Sequence, residues 1–302
     1  MAHTKLSSGL WTMRRLAFGF AALSLAGCAP GAPDEAEVSG KPTFVSLNPC
    51  LDALLVEVAE PGQILALSHY SIDPSASSIA VERARQIGIT GGSAEEVLAL
   101  EPDIVLASTF IAPSTRAAFE RLGLRVETFD SPATVAESVE QVRRLAGLAG
   151  DVAAGEALVQ AIARPAHGSQ GRRAISTLLW QPGQIVPGET TLIGELLRES
   201  GFASHSAERG LHQGDYVALE TLLVDPPELL LVAGSSAGQR HPMLARMRGT
   251  QVEPLDQRLL FCGGPTIIDV RRRLVEVREA IERRDETPTE RPLQARREGA
   301  GP

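Results

Sequence analysis

Short aliphatic runs alternate with segments of helical period along most of this chain. Phe44 to Leu47 is apolar and stops at Asn48-Pro49-Cys50, after which Leu51 to Ala59 has helical spacing. Ile64 to Ser68 reads as a second strand, Ser93 to Leu100 as a short helix and Ile104 to Ser108 as a strand. Ser114 to Leu122 is then helical and Arg125 to Phe129 extended. This alternation predicts a parallel sheet with helices on its faces. From Val135 onward the period changes: Val139, Val142, Leu145, Ala149, Val152 and Leu158 follow at helical spacing until Pro165 ends the run. The pattern predicts one long helix as a stiff spine. Gly147, Gly150 and Gly155 raise the alternative of two shorter helices with a bend. Alternation then resumes, with strands at Ile175 to Trp180, Leu229 to Val232 and Leu259 to Cys262. Helices are expected at Thr191 to Ser200, Val217 to Val224 and Asp269 to Arg284.

One unit of this alternation occurs twice. Glu95 opens the apolar stretch Glu96-Val97-Leu98-Ala99-Leu100, and Glu101-Pro102-Asp103 then leads into Ile104-Val105-Leu106. Glu220 opens Thr221-Leu222-Leu223-Val224, and Asp225-Pro226-Pro227-Glu228 leads into Leu229-Leu230-Leu231. Val126-Glu127-Thr128-Phe129-Asp130 is echoed by Val252-Glu253-Pro254-Leu255-Asp256 at nearly the same offset. Two echoes at nearly one offset predict a duplicated lobe. The expected fold is therefore α/β, two similar Rossmann-like lobes (43–132 and 169–284) with mainly parallel sheets, joined by a backbone helix within 133–168. A cleft between the lobes is the natural place for a site.

Charge and composition narrow the function. A net charge of −8 without a basic stripe argues against nucleic acid. Arg14 and Arg15 precede the apolar run Leu16 to Leu25, which is shorter than the ~20 residues needed to span a bilayer and fits a signal peptide. It ends in Leu25-Ala26-Gly27-Cys28, which is similar to the lipobox of bacterial lipoproteins. The expectation is a signal segment at 1–28 and a lipid anchor on Cys28. A flexible, small-residue tether follows at 29–42, and the folded body sits in an oxidising compartment. The charged, Pro-rich stretch 285–302 is expected to be disordered.

Several residue groups are candidates for chemistry. Gly234-Ser235-Ser236-Ala237-Gly238 matches a nucleophile elbow, which would make Ser236 a hydrolase nucleophile. That fold needs a histidine later in the chain, and the last one, His241, follows too closely to serve. His69, His205, His212 and His241 lack ligand-like spacing, so no resident metal or cofactor is expected. Cys50 and Cys262 each follow an apolar run, one per lobe, and are expected on the cleft wall; whether they stay thiols or pair across the cleft is left open. Tyr70, Phe110, Trp180, Tyr216 and Phe261 lie at or just beyond strand ends, or beside the second repeated helix, and together predict an aromatic cleft for a large conjugated ligand. Ser93 and Glu96 form an expected capping box, leaving Glu95 to project from the first turn, with Glu220 in the matching place.

Val45-Ser46-Leu47-Asn48-Pro49, the stretch Gly92 to Leu106, and Leu122-Gly123-Leu124-Arg125-Val126 together resemble the substrate-binding proteins of ABC importers for ferric siderophores, haem and vitamin B12. The resemblance covers about Thr43 to Arg284. It implies a non-enzymatic, monomeric receptor with two lobes on one rigid helix and little hinge closure. Its ligand, a metal chelate, would be delivered to a permease dimer driven by a cytoplasmic ATPase. It also implies that Glu95 and Glu220 dock onto permease arginines. The vitamin B12-binding member has tryptophans shortly before each docking Glu, where this chain has Gly88 to Gly92 and Tyr216. Trp180 resembles that member's cleft aromatic. Anionic chelates would call on Arg83, Arg85, Arg116, Arg209 or Arg240, and haem on His69-Tyr70. On this basis ferric siderophore stands slightly ahead of corrinoid.

Overall fold

The structure, a computed structural model, describes residues 40–164 and 172–286. The expected signal segment with Cys28, most of the tether and the tail from 287 lie outside the described residues. Among the described residues no helix is long and apolar enough to cross a membrane.

The first lobe carries β1 (Phe44–Ser46), β2 (Ile64–Ser68), β3 (Ile89–Thr90), β4 (Ile104–Ser108) and β5 (Val126–Phe129), hydrogen-bonded in the order β3-β2-β1-β4-β5 with every pairing parallel. Its helices are α1 (Pro49–Val58), α2 (Val81–Arg85), α3 (Ala94–Ala99) and α4 (Pro113–Arg121). The second lobe carries β6 (Ile175–Trp180), β7 (Phe202–Ser204), β8 (Leu229–Ala233) and β9 (Gln251–Leu255) in the order β7-β6-β8-β9, again all parallel. Its helices are α7 (Leu192–Glu199), α8 (Leu219–Val224) and α9 (Thr266–Glu286).

The two orders superpose as β2-β1-β4-β5 on β7-β6-β8-β9, so the duplicated segments occupy the same place in both sheets. The acidic residue that ends each repeat has the same task. Asp103 accepts the Thr43 N–H and hydroxyl, each at 2.8 Å, at the head of β1. Glu228 accepts the Ser176 N–H at 3.1 Å at the head of β6. Each repeat thus pins the head of the central strand beside it, which explains why a carboxylate stands there twice.

Three sequence expectations need correction. The long helix is two helices, α5 (Val135–Ala149) and α6 (Val152–Ile162). Gly150 adopts φ 74°, a left-handed C-cap where a Cβ would be strained, and the Asp151 side chain restarts the helix by accepting the Ala154 N–H. The two helices then pack closely on one another: a Cβ at Gly155 would meet the Ala146 Cβ at 2.4 Å. Leu259 to Cys262 is not a strand; a 3-10 turn occupies Gln257–Leu260, and the strand lies earlier, at β9. Pro254 is tolerated there because β9 is an edge strand. Glu96 does not close a capping box with Ser93. Its carboxylate reaches further back, to the Thr90 hydroxyl at 2.9 Å and the Gly91 N–H at 2.7 Å.

One hydrophobic cluster runs through both lobes, from Phe44, Leu55 and Leu145 across Ile162 to Ile175, Leu196, Leu229 and Leu274. The lobes therefore share a core.

Candidate functional site

In a parallel sheet all strands end on one edge, and that edge of each lobe carries the loops around the cleft. In the first lobe, β2 runs into a 3-10 turn, His69–Ile72, which exposes His69 and Tyr70 with ring centroids 4.1 Å apart. β4 leads to Phe110, 81% exposed, and β5 to Asp130, whose carboxylate accepts the Thr109 hydroxyl. In the second lobe, β6 leads to Gln181 and Ile185, and Ile185 bridges to Tyr216, which is 61% exposed. Between the lobes lies a cavity of about 420 Å³, lined by Ser131 and Pro132 from the first lobe and by Gln181, Ile185, Thr191 and Phe261 from the second. Phe261 and Pro132 also border a smaller recess with Asn48, Cys50 and Phe129.

Cys50 and Cys262 form a disulfide, with Cα atoms 5.1 Å apart. Cys50 sits in the first turn of α1 and Cys262 in the loop entering α9, so the bond joins the lobes beside the cavity. The Ser78 hydroxyl donates to the Cys262 sulfur at 3.1 Å. Neighbouring contacts tie the same seam. The Gly264 N–H donates to the Ser138 hydroxyl at 2.7 Å, the Val135 N–H to Glu195 at 2.9 Å, and the Gln257 amide to the Ser75 carbonyl at 3.2 Å. Sequence spacing offered no way to see that these pieces meet, because they come from distant parts of the chain.

Trp180 departs from expectation. It is fully buried among Leu178, Val186, Val217 and Leu222, and its indole N–H donates to the Val217 carbonyl at 2.9 Å. Strand alternation turns its ring into the second lobe's core, away from the cleft. The structure thus gathers Phe261 and the disulfide on the cavity and sets Tyr216 beside it. Tyr70 and Phe110 stand exposed on strand-end loops of the first lobe.

Asp52 is a residue the sequence reading passed over. Fully buried in α1, it accepts the Ser68 N–H at 3.0 Å and the Ser68 and Ser71 hydroxyls, each at 2.6 Å. Those two serines bracket His69 and Tyr70, so one carboxylate oxygen holds the turn that presents them. The other oxygen, Oδ1, is buried without a partner. Burial pushes the Asp52 carboxyl up to about 6 against the opposing pull of its serine hydrogen bonds. An acid among hydrophobic residues in the first turn of a helix was the only signal available.

The candidate cations are mostly committed elsewhere. Arg83 pairs with Glu57, Arg116 with Glu120 and Arg209 with Asp225. Arg85 is exposed in the last turn of α2, and Arg240 follows β8 at the strand-end edge. The histidines do not converge, and among the described residues no group of three His, Cys, Asp or Glu is placed to hold a metal. His205 is buried and bonded to Ser176 at 3.1 Å; burial, with Arg209 nearby, pushes its pKa down. The Ser236 N–H donates to Gln239 at 2.9 Å, while His241 Nδ1 accepts the Met243 N–H. Among the described residues no hydrogen bond joins the Ser236 hydroxyl to a histidine. Glu95 and Glu220 are exposed on the first turns of α3 and α8, and neither has a hydrogen-bond or ion-pair partner among the described residues.

A family model described as "Periplasmic binding protein" matches residues 44–251. Comparison with curated protein sequences gives no match. Among solved structures, the periplasmic heme-binding protein HutB of Vibrio cholerae is similar, with 16% identity and a TM-score of 0.64 over 78% of this chain and 98% of that one. A periplasmic heme-binding protein from Pseudomonas aeruginosa has 22% identity and a TM-score of 0.60 over 78% and 91%. The periplasmic vitamin B12-binding protein BtuF of Vibrio cholerae has 17% identity and a TM-score of 0.62 over 80% and 97%. At these identities the likeness is one of fold.

Two outcomes follow from the seam and from Asp52. Reducing the disulfide should lower stability by about 2–5 kcal/mol. Chemical unfolding with and without reductant measures this, and full alkylation of both cysteines without reductant would show that the bond is absent. For Asp52, the folded-state pKa lies above the ordinary 3.8. Between roughly pH 4 and 6 the folded state holds the proton that the unfolded state has released, so this group's contribution to stability declines as pH rises through that window. The difference in unfolding free energy between wild type and Asp52→Asn should change across that window and level off above it; a constant difference would show Asp52 already ionised throughout.

Proposed function

Because the chain belongs to the periplasmic binding protein family, we propose that it is the lipid-anchored receptor of an ABC importer and that its ligand is a flat, conjugated metal chelate of the corrin or porphyrin type. One observation carries the choice of ligand. Phe261 lines the interlobe cavity, Tyr216 is bridged to its lining residue Ile185, and Tyr70 and Phe110 are exposed on strand-end loops of the first lobe, while Arg83, Arg116 and Arg209 are held in ion pairs. Aromatic faces bury a broad macrocycle well, whereas an anionic catecholate or citrate chelate needs several free cations to offset its desolvation. This reading places a corrin or porphyrin chelate ahead of the ferric siderophore expected from sequence. The fold is shared with heme- and vitamin B12-binding proteins and equally with an iron-binding one, so the cleft residues and not the fold carry the choice.

The seam between the lobes gives this receptor a preset cleft. A cavity whose walls are joined by a disulfide and a shared core loses little conformational entropy on binding, so its contacts are converted to affinity with small reorganisation. Loaded receptor then docks through Glu95 and Glu220, one on each lobe, onto arginines of the permease dimer, and the ligand passes to the pore. Cys28, acylated at the start of the mature chain, keeps the receptor at the membrane surface near that permease.

Titration of the body, residues 43–284, with haemin, cobinamide and ferric siderophores tests the ligand class. Trp180 is the one tryptophan in that body. Saturable quenching by haemin or cobinamide is expected, and replacing Tyr216 or Phe261 with Ala should weaken that binding about tenfold, or ~1.4 kcal/mol. Tight binding of ferric catecholates alone would overturn the macrocycle reading. Cys28→Ser should release the protein from the membrane fraction; a variant still labelled by palmitate would place the lipid elsewhere.

A further inference from the structure

Among the described residues the exposed large hydrophobics sort by position. Ile185 and Phe261 line the interlobe cavity, Tyr216 is bridged to Ile185, and Tyr70 and Phe110 stand on strand-end loops of the first lobe. Four of the others lie on or at the end of just two short helices: Leu98 (41% exposed) and Leu100 (37%) at α3, Leu223 (39%) and Val224 (86%) at α8. These are the helices opened by Glu95 and Glu220. Only Leu122 and Val152 fall outside both groups.

The two helices also agree residue by residue. Two positions after each Glu the chain points inward, with Val97 fully buried and Leu222 1% exposed. Three positions after each Glu a leucine points outward, 41% exposed for Leu98 and 39% for Leu223. Residues three apart lie on one helical face, so each lobe presents a carboxylate and a leucine side by side. A single exposed leucine needs no explanation. The same leucine beside the same unpartnered carboxylate, at repeat-related places in two lobes, does.

We propose that each lobe docks through a carboxylate–leucine pair, Glu95 with Leu98 and Glu220 with Leu223, extended by Leu100 and Val224. The occupant is the permease dimer, each half offering a basic residue beside an apolar patch. This rests on the docking reading of the two glutamates and adds the part that holds the complex together. Exposed ion pairs act mainly on encounter and register and are screened by salt. Apolar area removed from water is not screened, so the leucines supply the salt-resistant share. The internal duplication explains the arrangement: two copies of one docking face meet the two equivalent halves of a symmetric dimer.

The test compares two double variants of the full-length protein, Glu95→Gln/Glu220→Gln and Leu98→Ser/Leu223→Ser, for binding to the host's permease–ATPase complex in nanodiscs at low and high salt. Haemin and cobinamide titration and thermal unfolding serve as folding controls, with Leu98→Gln/Leu223→Gln as a second substitution should the serine variant unfold. The expected result is that the glutamine pair at Glu95 and Glu220 weakens binding at low salt and matches wild type at high salt. The leucine variants should lose tenfold or more under both conditions. Leucine variants that bind like wild type while the glutamate variant fails would overturn the apolar part and leave the docking reading standing. If both bind like wild type, the docking reading falls and this inference with it.

Discussion

The interlobe seam at Phe261 to Gly264 governs the rest of the molecule. Here the chain leaves the second lobe's sheet and crosses to the first lobe before starting α9. Cys262 bonds to Cys50, and the Gly264 N–H bonds to the Ser138 hydroxyl. The approach is so close that a Cβ on Gly264 would meet Leu54 at 2.3 Å, and one on Gly263 would meet the Ser138 hydroxyl at 2.5 Å. Gly264 also adopts φ 61°, which few side chains tolerate. Two glycines and a cysteine in succession are thus dictated by contact with the opposite lobe. Because the same loop lines the cavity through Phe261, the geometry of the site and the attachment of the lobes are one matter.

α9 completes that attachment with charge. Arg271 is 8% exposed; it donates to the Ile162 carbonyl at the end of α6 and pairs with Glu199 at 2.6 Å. Arg278, 5% exposed, donates to the Gly201 carbonyl at 2.8 Å and the Arg173 carbonyl at 2.9 Å. Helices end with carbonyls that lack partners within the helix; Arg271 satisfies that of Ile162 at the end of α6, while Arg278 binds the carbonyls of Ser200 and Gly201 just past α7. Buried cations are tolerated here because each is paired and hydrogen-bonded on several sides. Arg271 thereby holds α6, in the connector between the lobes, against the second lobe, and Arg278 fixes α9 to the loop after α7 and to the chain entering β6.

The lobes, their parallel sheets and the duplication were legible because local pattern carries them. Aliphatic runs, Pro and Gly punctuation, and the Glu-to-Pro-to-acid repeat report on neighbours a few residues away. What depended on distant partners was not legible. The repeat echo at Val252 to Leu255 marked a true strand, yet the more apolar run at Leu259 to Cys262 drew the assignment, although its residues serve the seam. Trp180 is a strand-end aromatic like Tyr70 by sequence; only the register of β6 decides that its ring turns into the core. Glu96 and Ser93 had the spacing of a capping box, but Thr90 and Gly91 offered better donors once β3 had formed. The pairing of Cys50 with Cys262 required knowing that the first turn of α1 and the entry to α9 share one wall. Asp52 gave almost no signal, since its role is visible only when Ser68 and Ser71 close around it.

The disulfide has one more consequence, topological rather than energetic. Its two cysteines are 212 residues apart, so most of the folded body ahead of α9 lies inside a single covalent ring. A peptide bond cut anywhere on that ring opens it without dividing it. A chain nicked on a surface loop would still be one particle, with both lobes retained. Damage that would separate an ordinary two-lobed protein into fragments is thereby reduced to a local scar.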